Sequence, residues 1–369
     1  MGFILLFVFI ISFCPTVFAY SGGCSADTAI LFQSDTNTVL YEKNAYDSKL
    51  VASTTKIMTA LVALENSSPD DIVDIRSEYT EIEGSSMYLK AGERFKVKEL
   101  IYGLMLMSGN DAAVALACHV ADSVEAFAAL MSEKAYELGC LNTNFENPHG
   151  LDADKHYSCA YDLALIMKAA MQNDSFAEIT STKEIIIAGR SMKNHNKLLW
   201  NCDGCVGGKT GYTKKAGRTL VSVCNRDGME LICVTISDKD DWNDHMTLYD
   251  WGYSNNELID LSQDFTIPVI SGTKNEVKVF CEQKYFMLKK KPYEIHYDLP
   301  ELVYAPVSIG DCVGCVNVIT EDEVYKYQII STENIDIDET IKLSFWERIK
   351  WSWYYYNDHS GQVQFIPRY

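Results

Sequence analysis

Three short clusters, in chain order, carry residue types that could work together in nucleophilic catalysis: Ser53-Thr54-Thr55-Lys56, Ser108-Gly109-Asn110 and Lys209-Thr210-Gly211. A serine hydroxyl is a poor nucleophile until a base takes its proton. Ser53 and Lys56 stand at i and i+3, so on a helix they share a face and the amine reaches the hydroxyl. A free lysine has a pKa near ~10.4 and is protonated at neutral pH. Burial and a second nearby cation both lower that value, and Lys209 is the natural second cation. A helix start at Ser53 also brings a backbone N–H and the positive helix end toward a developing oxyanion. Singly, each cluster is a weak signal: an exposed helix start, a turn, a strand edge. Their order, and the helix, loop and strand contexts around them, carry the assignment.

Other chemistries find less support. His149, His156 and His195 invite a Ser-His arrangement, but they lie in loop and turn segments and the lysine already supplies a base. Gly207-Gly208-Lys209-Thr210 lacks the preceding spacing of a phosphate loop, and no His-Glu-x-x-His pattern occurs. Twelve cysteines include two Cys-x-x-Cys pairs, Cys202/Cys205 and Cys312/Cys315, too far apart for a compact zinc ribbon. A disulfide within or between these pairs is open in an oxidising compartment. Cys118, Cys159, Cys224 and Cys233 sit in apolar patterns and read as buried small hydrophobes. No metal or cofactor is expected. A net charge of −19 argues against a nucleic-acid partner.

The elements that must position these residues follow from periodicity. Ala29–Phe32, a turn through Ser34–Asn37, and Val39–Tyr41 read as a hairpin. A helix is expected from Ser53 to Glu65, with Ile57, Leu61 and Leu64 on one stripe. Further helices are expected over 97–107, 111–120, 124–138 and 160–171, with Asp122 and Glu125 marking the start of the third of these. Strands follow at 185–187, 219–223 and 230–236, the Lys-Thr-Gly cluster preceding the second, then a helix over 242–252. Strands at both ends of a helical middle predict an α+β domain whose outer segments share one sheet. Residues 264–340 alternate and are β-branched, which predicts a small all-β domain.

The ordered set of three clusters resembles, as a close variant, the signature of penicillin-binding proteins and class A β-lactamases. Beyond it, the chain resembles the low-molecular-mass penicillin-binding, serine-type D-Ala-D-Ala carboxypeptidases. The resemblance runs through Val39–Asn44, Ile57–Ala60, Gly84–Met87, Leu104–Ala113, Asn147–Leu151, His156–Ser158, and Lys209–Thr213 with Ala216-Gly217. It implies a transpeptidase-like catalytic domain, an antiparallel sheet with flanking helices and a helical subdomain, over residues 20–260. A β-rich domain over 264–340 would follow. It also implies roles. Ser53 would be acylated, Lys56 would act as base, and Ser108 and Asn110 would relay a proton and orient the substrate. Lys209 and Thr210 would hold the terminal carboxylate, Gly211 would continue that binding strand, and the N–H groups of Ser53 and Tyr212 would form the oxyanion hole. The partners implied are peptidoglycan stem peptides ending in D-Ala-D-Ala, and β-lactams. Gly207-Gly208 departs from the family, where an Ile is common, and predicts a looser strand.

A β-lactamase would need a further carboxylate between Asn110 and Lys209 to activate water, and none stands in the required pattern. Whether water or an amine attacks the acyl-enzyme, the carboxypeptidase or the transpeptidase outcome, stays open at this level. A penicillin-binding sensor without activity is disfavoured by the intact set of Ser53, Lys56, Ser108, Asn110 and Lys209.

The two ends read differently from the body. Phe3 to Val17 is an apolar run too short to span, followed by Val17-Phe18-Ala19, so residues 1–19 are expected to be a cleaved export signal. Residues 341–369 form an aromatic tail. Phe345, Trp346, Ile349, Trp353 and Tyr356 fall within about 100° on a helix, which points to a membrane-interfacial anchor. The protein would then work on the outer face of the cytoplasmic membrane or in the cell wall space.

Overall fold

The computed structural model describes residues 22–338, apart from 282, 284, 290, 291 and 322. The expected export signal and aromatic tail lie outside the described residues. The chain divides into two compact units, residues 1–254 and 255–369.

The first unit is built on a five-stranded sheet in the order β2-β1-β9-β8-β7, antiparallel throughout. Its strands are β1 (Thr28–Gln33), β2 (Thr38–Lys43), β7 (Cys205–Thr213), β8 (Gly217–Arg226) and β9 (Met229–Ile236). All six residues of β1 are buried, because side chains alternate between two covered faces. Ile30, Phe32, Val221, Val223, Ile232 and Val234 join the core under the helices. On the other face, Leu31 and Leu231 meet Gly252 of α8 (Asp241–Asn255), and the Ser222 hydroxyl is 2.7 Å from both His245 Nδ1 and Tyr249 Oη of that helix.

The helical part surrounds α1 (Lys56–Asn66), buried continuously from Lys56 to Leu64. A helix apolar all round must be enclosed. It is enclosed by α2 (Val97–Leu106), α3 (Asn110–Ala121), α4 (Val124–Glu137), α5 (Ala160–Met171) and α6 (Asp174–Ser181). Two small antiparallel pairs accompany them: β3 (Ile72–Asp74) with β4 (Arg94–Lys96) between α1 and α2 in sequence, and β5 (Glu184–Ile187) with β6 (Arg190–Lys193) after α6. A one-turn helix, α7 (Leu198–Asn201), leads into β7.

Three local expectations are corrected, and one further helix appears. Residues 52–55 form a 3-10 turn, and α1 starts only at Lys56. Ala52, the first residue of that turn, has φ 47°, outside the right-handed helical region. Asp122 does not open α4; it ends α3 at φ 60°, and the extended Ser123 caps α4 by accepting from Ala126 N at 3.1 Å. Lys209-Thr210-Gly211 lies inside edge strand β7 rather than ahead of a strand. Helix α6, capped by the Asn173 side chain, is an element beyond those expected from the sequence.

The second unit is all-β among its described elements. It contains β10 (Asn256–Asp260) paired with β13 (Tyr285–Lys289). Beside this pair stands a six-stranded sheet in the order β14-β16-β17-β12-β11-β15. Its strands are β11 (Asp264–Ile270), β12 (Glu276–Cys281), β14 (Tyr293–Asp298), β15 (Val303–Tyr304), β16 (Cys312–Thr320) and β17 (Val324–Ser331). Strict alternation in β12 buries Val277, Val279 and Cys281 and exposes their neighbours.

Candidate active site

The 3-10 turn decides how Ser53 and Lys56 meet. Residues i and i+3 eclipse in that geometry, and Lys56 Nζ lies 3.0 Å from Ser53 Oγ. Lys56 is fully buried, and Nζ has two further neighbours, Asn110 Oδ1 at 2.7 Å and the His149 carbonyl at 2.5 Å. Burial first, and the Lys209 cation second, hold the Lys56 pKa well below its ordinary value; Asp111 opposes them. A neutral amine has two N–H donors and one lone pair. Two carbonyl oxygens take the two donors, so the lone pair is left for the Ser53 hydroxyl proton.

Each neighbour is held in place. Asn110 opens α3 and donates from Nδ2 to the Glu83 carbonyl at 2.5 Å, which turns Oδ1 toward Lys56. Next to it, Asp111 is buried and its carboxylate accepts from Ser86 Oγ at 2.7 Å and from the N–H groups of Met87 and Leu89 at 2.9 and 3.0 Å. Its own neighbour Ala112 donates to it at 2.9 Å. The segment 84–89 is thereby fixed against α3. Ser108 sits between α2 and α3 at φ 57°, an uncommon conformation for a residue other than glycine. Among the described residues, no hydrogen bond joins its hydroxyl to Lys56 or Ser53, so the structure places Ser108 by the loop it occupies and not by such a contact.

The loop carrying the His149 carbonyl is stapled to the start of α1. The Asn147 side chain accepts from Gly150 N at 2.7 Å and donates to the Leu151 carbonyl at 3.0 Å. Thr59 Oγ1 donates to the Pro148 carbonyl at 2.6 Å. His156 Nδ1 accepts from Glu146 N at 3.2 Å, so the neutral ring carries its proton on Nε2 and donates to Thr55 Oγ1 at 2.8 Å. Burial lowers His156 to about 4 and His149 to about 3, which keeps both rings neutral. Gly150 adopts φ 85°, and a Cβ on it would lie 1.9 Å from the Ala52 carbonyl. Both histidines therefore shape the loop.

Strand β7 completes the site. Lys209 is buried, burial lowers it to about 7, and Nζ donates to the Thr210 carbonyl at 2.8 Å. His195 is held below its ordinary value by burial and then by the Lys209 charge. A Cβ on Gly211 would stand 3.0 Å from Ser53 N, so the strand passes directly beside the serine. Gly208 N–H and C=O both bond Thr180 Oγ1 rather than β8. By alternation, the main-chain groups of Thr210 and Tyr212 also face the open edge. Gly207 and Gly208 do not loosen the strand as their departure from the family pattern suggests. A Cβ on Gly207 would meet Thr180 Cγ2 at 2.5 Å and one on Gly208 would meet the Val221 carbonyl at 2.4 Å, so their smallness permits close packing.

Ser53, Asn110 and the His149 carbonyl thus converge on the Lys56 amine, with Lys209, Thr210, Gly211 and Tyr212 along the adjoining strand edge. The sequence assigns no individual role to Asp111, Asn147 or Gly150, and it sets His156 aside as a catalytic base. Their only signal was membership of segments that resemble a family.

Residues 17–240 match the family described as D-alanyl-D-alanine carboxypeptidase. The chain is 30% identical to the D-alanyl-D-alanine carboxypeptidase DacF of Bacillus subtilis, over 95% of this chain and 97% of that one. It is 32% identical to the D-alanyl-D-alanine carboxypeptidase DacC of Escherichia coli, over 89% and 90%. Penicillin binding protein 5 of Haemophilus influenzae superposes with a TM-score of 0.74 at 27% identity, covering 86% of this chain and 99% of that chain. A Streptomyces DD-transpeptidase variant superposes with a TM-score of 0.61 at 30% identity, covering 63% and 99%.

Proposed function

The chain belongs to the D-alanyl-D-alanine carboxypeptidase family of serine peptidases, and from that premise we propose that Ser53 is its acylated nucleophile and Lys56 the base. The enzyme removes the terminal D-Ala of peptidoglycan stem peptides through an acyl-enzyme and binds β-lactams. The observation that supports the residue assignment most is Lys56 Nζ, fully buried, 3.0 Å from Ser53 Oγ and 2.7 Å from Asn110 Oδ1.

Ser53 Oγ attacks the carbonyl carbon of the penultimate D-Ala while its proton passes to Lys56 Nζ. The carbonyl oxygen becomes an oxyanion, held by the N–H groups of Ser53 and Tyr212. Collapse breaks the C–N bond, and the proton on Lys56 goes to the departing D-Ala amine, with Ser108 as relay. Asn110 orients the substrate amide as well as Lys56. Water then attacks the acyl carbon and gives a proton to Lys56, and Ser53 leaves as the hydroxyl. Thr210 and Gly211 bind the peptide along the β7 edge, and Lys209 with the Thr210 hydroxyl holds the terminal carboxylate. An anionic carboxylate beside Lys209 raises that lysine's pKa again, so substrate binding favours the charged form it needs.

The test is acylation by penicillin. Intact-mass measurement should show one adduct per chain on the wild type and none on Ser53→Ala. An adduct that survives the substitution would refute the nucleophile.

Export and membrane association complete the reading. Residues 1–19 direct the chain out of the cytoplasm, and residues 341–369 hold it at the outer face of the membrane, near nascent peptidoglycan. Trp and Tyr favour the headgroup level, which suits the aromatic composition of that tail. Deleting 341–369 should leave peptide hydrolysis intact and release the protein from liposomes in flotation. A full-length mature protein that never floats would refute the anchor.

A further inference from the structure

We propose that Cys202 and Cys224 form an exchangeable disulfide, with Cys205 as third thiol, that clasps the turn leading into β7 to β8, seven residues ahead of Lys209. The Cys-x-x-Cys pair at 202 and 205 takes no part in the mechanism above. Its partner is Cys224, on the neighbouring strand.

The turn that carries the pair is folded down onto β8. Cys205 N donates to the Cys202 carbonyl at 3.3 Å, and Asn225 N donates to the Gly204 carbonyl at 2.8 Å. Arg226 Nε donates to the Asp203 carbonyl at 3.0 Å. Gly204 adopts φ 75°, and a Cβ there would lie 2.7 Å from the Asn225 carbonyl, so the turn has no freedom to lift. Under it, Cys202 Sγ stands 3.5 Å from Cys224 Sγ. Cys205 is the register partner of Cys224 across the β7–β8 ladder. A disulfide needs ~2.05 Å between sulfurs, so the Cys202–Cys224 contact closes by about 1.5 Å of side-chain rotation.

The environment also activates the two thiols of the Cys-x-x-Cys pair. The Cys224 hydrogen bond first, and then the Arg226 guanidinium, whose Nη2 is 3.9 Å from Cys202 Sγ, pull the Cys202 thiol down to about 7. Cys205 is lowered by its hydrogen bond with Cys224, and Cys224 is raised by both partners. Cys205 is partly exposed, so reagent reaches the cluster. Cys233, wholly buried and raised by that burial, lacks every one of these features.

The chemistry is thiol–disulfide exchange with a protein or low-molecular-mass disulfide, R–S–S–R. A thiolate of the Cys-x-x-Cys pair attacks one sulfur, forms a mixed disulfide and expels RS⁻. Cys224 sulfur attacks the cysteine sulfur of that mixed disulfide and expels the second RS⁻. Two thiols of the chain are oxidised, one R–S–S–R is reduced to two R–SH, and the two thiol protons end on them. Whichever cysteine made the first attack, exchange settles the bond at Cys202–Cys224, where the sulfurs are already in contact. Export supplies the oxidising setting. The disulfide rests on the export reading for where the reaction happens and not for its test.

The test uses the mature full-length chain equilibrated in glutathione buffers from fully reduced to fully oxidised, then alkylated and mapped as non-reduced peptides. The expected oxidised form is two hydrogens lighter, with Cys202 linked to Cys224 and Cys205 alkylated. Cys202→Ser should move the link to Cys205–Cys224, and Cys224→Ala should abolish it. Thermal unfolding of the oxidised wild type should come later than that of the reduced form by on the order of 5 °C or more. Full alkylation of Cys202, Cys205 and Cys224 in oxidised glutathione would overturn the proposal, as would a link that omits Cys224. Both outcomes are read on the wild type, so they hold even where a variant folds poorly. Penicillin labelling of Ser53 on the same samples reports separately on the proposed active site.

Discussion

Asp111 separates two effects that the site depends on, and Asp111→Asn should move both. Its carboxylate takes two hydrogen bonds on each oxygen: Met87 N and Ala112 N on Oδ1, Ser86 Oγ and Leu89 N on Oδ2. An amide keeps one oxygen and presents an NH₂ where the other stood. With its oxygen kept at Oδ1, the Ser86 hydroxyl can rotate to accept, but the Leu89 N–H faces another donor. A buried N–H left without an acceptor costs ~1–3 kcal/mol, and the surviving bonds lose their charge assistance. The total loss should be ~2–4 kcal/mol, a sizeable part of a typical ~5–15 kcal/mol of stability. The second effect is electrostatic. Asp111 is the group that raises the Lys56 pKa, so its neutralisation lowers that pKa further. Lys56 works as the free amine, and the acid limb of the acylation rate should therefore move to lower pH. Urea unfolding at neutral pH measures the first effect, and the pH dependence of the second-order rate of penicillin acylation measures the second. A stability change below ~0.5 kcal/mol would refute the hydrogen-bond account. An acid limb that moves to higher pH would refute the electrostatic one.

Two other substitutions follow from the same geometry. Gly150→Ala forces a Cβ to within 1.9 Å of the Ala52 carbonyl at a φ of 85°, which should cost ~2–5 kcal/mol from left-handed strain and overpacking together. It should also slow acylation at least tenfold by pushing the His149 carbonyl off Lys56; parent-like unfolding and acylation would contradict both effects. Lys209→Gln removes a lysine whose pKa in the fold, about 7, is below its unfolded value of ~10.4. The unfolded chain then binds more protons between those values, so this residue's contribution to stability rises with pH across that window and is least favourable below about 7. The variant should gain stability relative to wild type at pH 6 more than at pH 10, lose most turnover of carboxylate-ended peptides, and shift the Lys56 acid limb upward as a neighbouring cation disappears. A limb displaced downward, the direction expected of Asp111→Asn, would contradict the coupling.

The sheet strands and the long helices were legible because each alternates or repeats against a single large core. Ile57, Leu61 and Leu64 have the period of a buried helix, and the apolar run Ala29–Phe32, buried throughout, is that of a strand covered on both faces. The start of the nucleophile segment was not legible. Nothing in Ala52-Ser53-Thr54-Thr55 signals a 3-10 turn, because the turn is imposed from outside by Gly150 against the Ala52 carbonyl and by Gly211 beside Ser53 N. The same holds for Gly207-Gly208, where composition suggests looseness and packing against Thr180 and Val221 requires small residues. Lys56 and Lys209 could be paired from their types alone, but the third partner of the amine, the His149 carbonyl, is a main-chain group that no residue type encodes. Cys224 lies in an apolar strand pattern like that of Cys233, and only the register of β8 against the 202–205 turn distinguishes them.

Burial of Lys56 and Lys209 is hard to reconcile with a core selected for stability. Neither forms an ion pair among the described residues, and a charged lysine so placed is strongly disfavoured. Apart from the Ser53 hydroxyl, the oxygens around them are carbonyls: Asn110 Oδ1 and His149 O at Lys56, Thr210 O at Lys209. A carbonyl dipole accepts an N–H without requiring a positive charge on it. A carboxylate at position 110 would pair with Lys56, keep it protonated and leave Ser53 without a base. The start of α3 keeps the two adjacent residue types apart. Asn110 turns its neutral oxygen toward Lys56, while Asp111, one residue on, turns its charge onto the N–H groups of Met87 and Leu89. The order Asn-Asp thus gives the helix start one side chain that keeps the amine basic and one that anchors the loop beside it. Exchanging the two would preserve the composition of the site and reverse the state of its base.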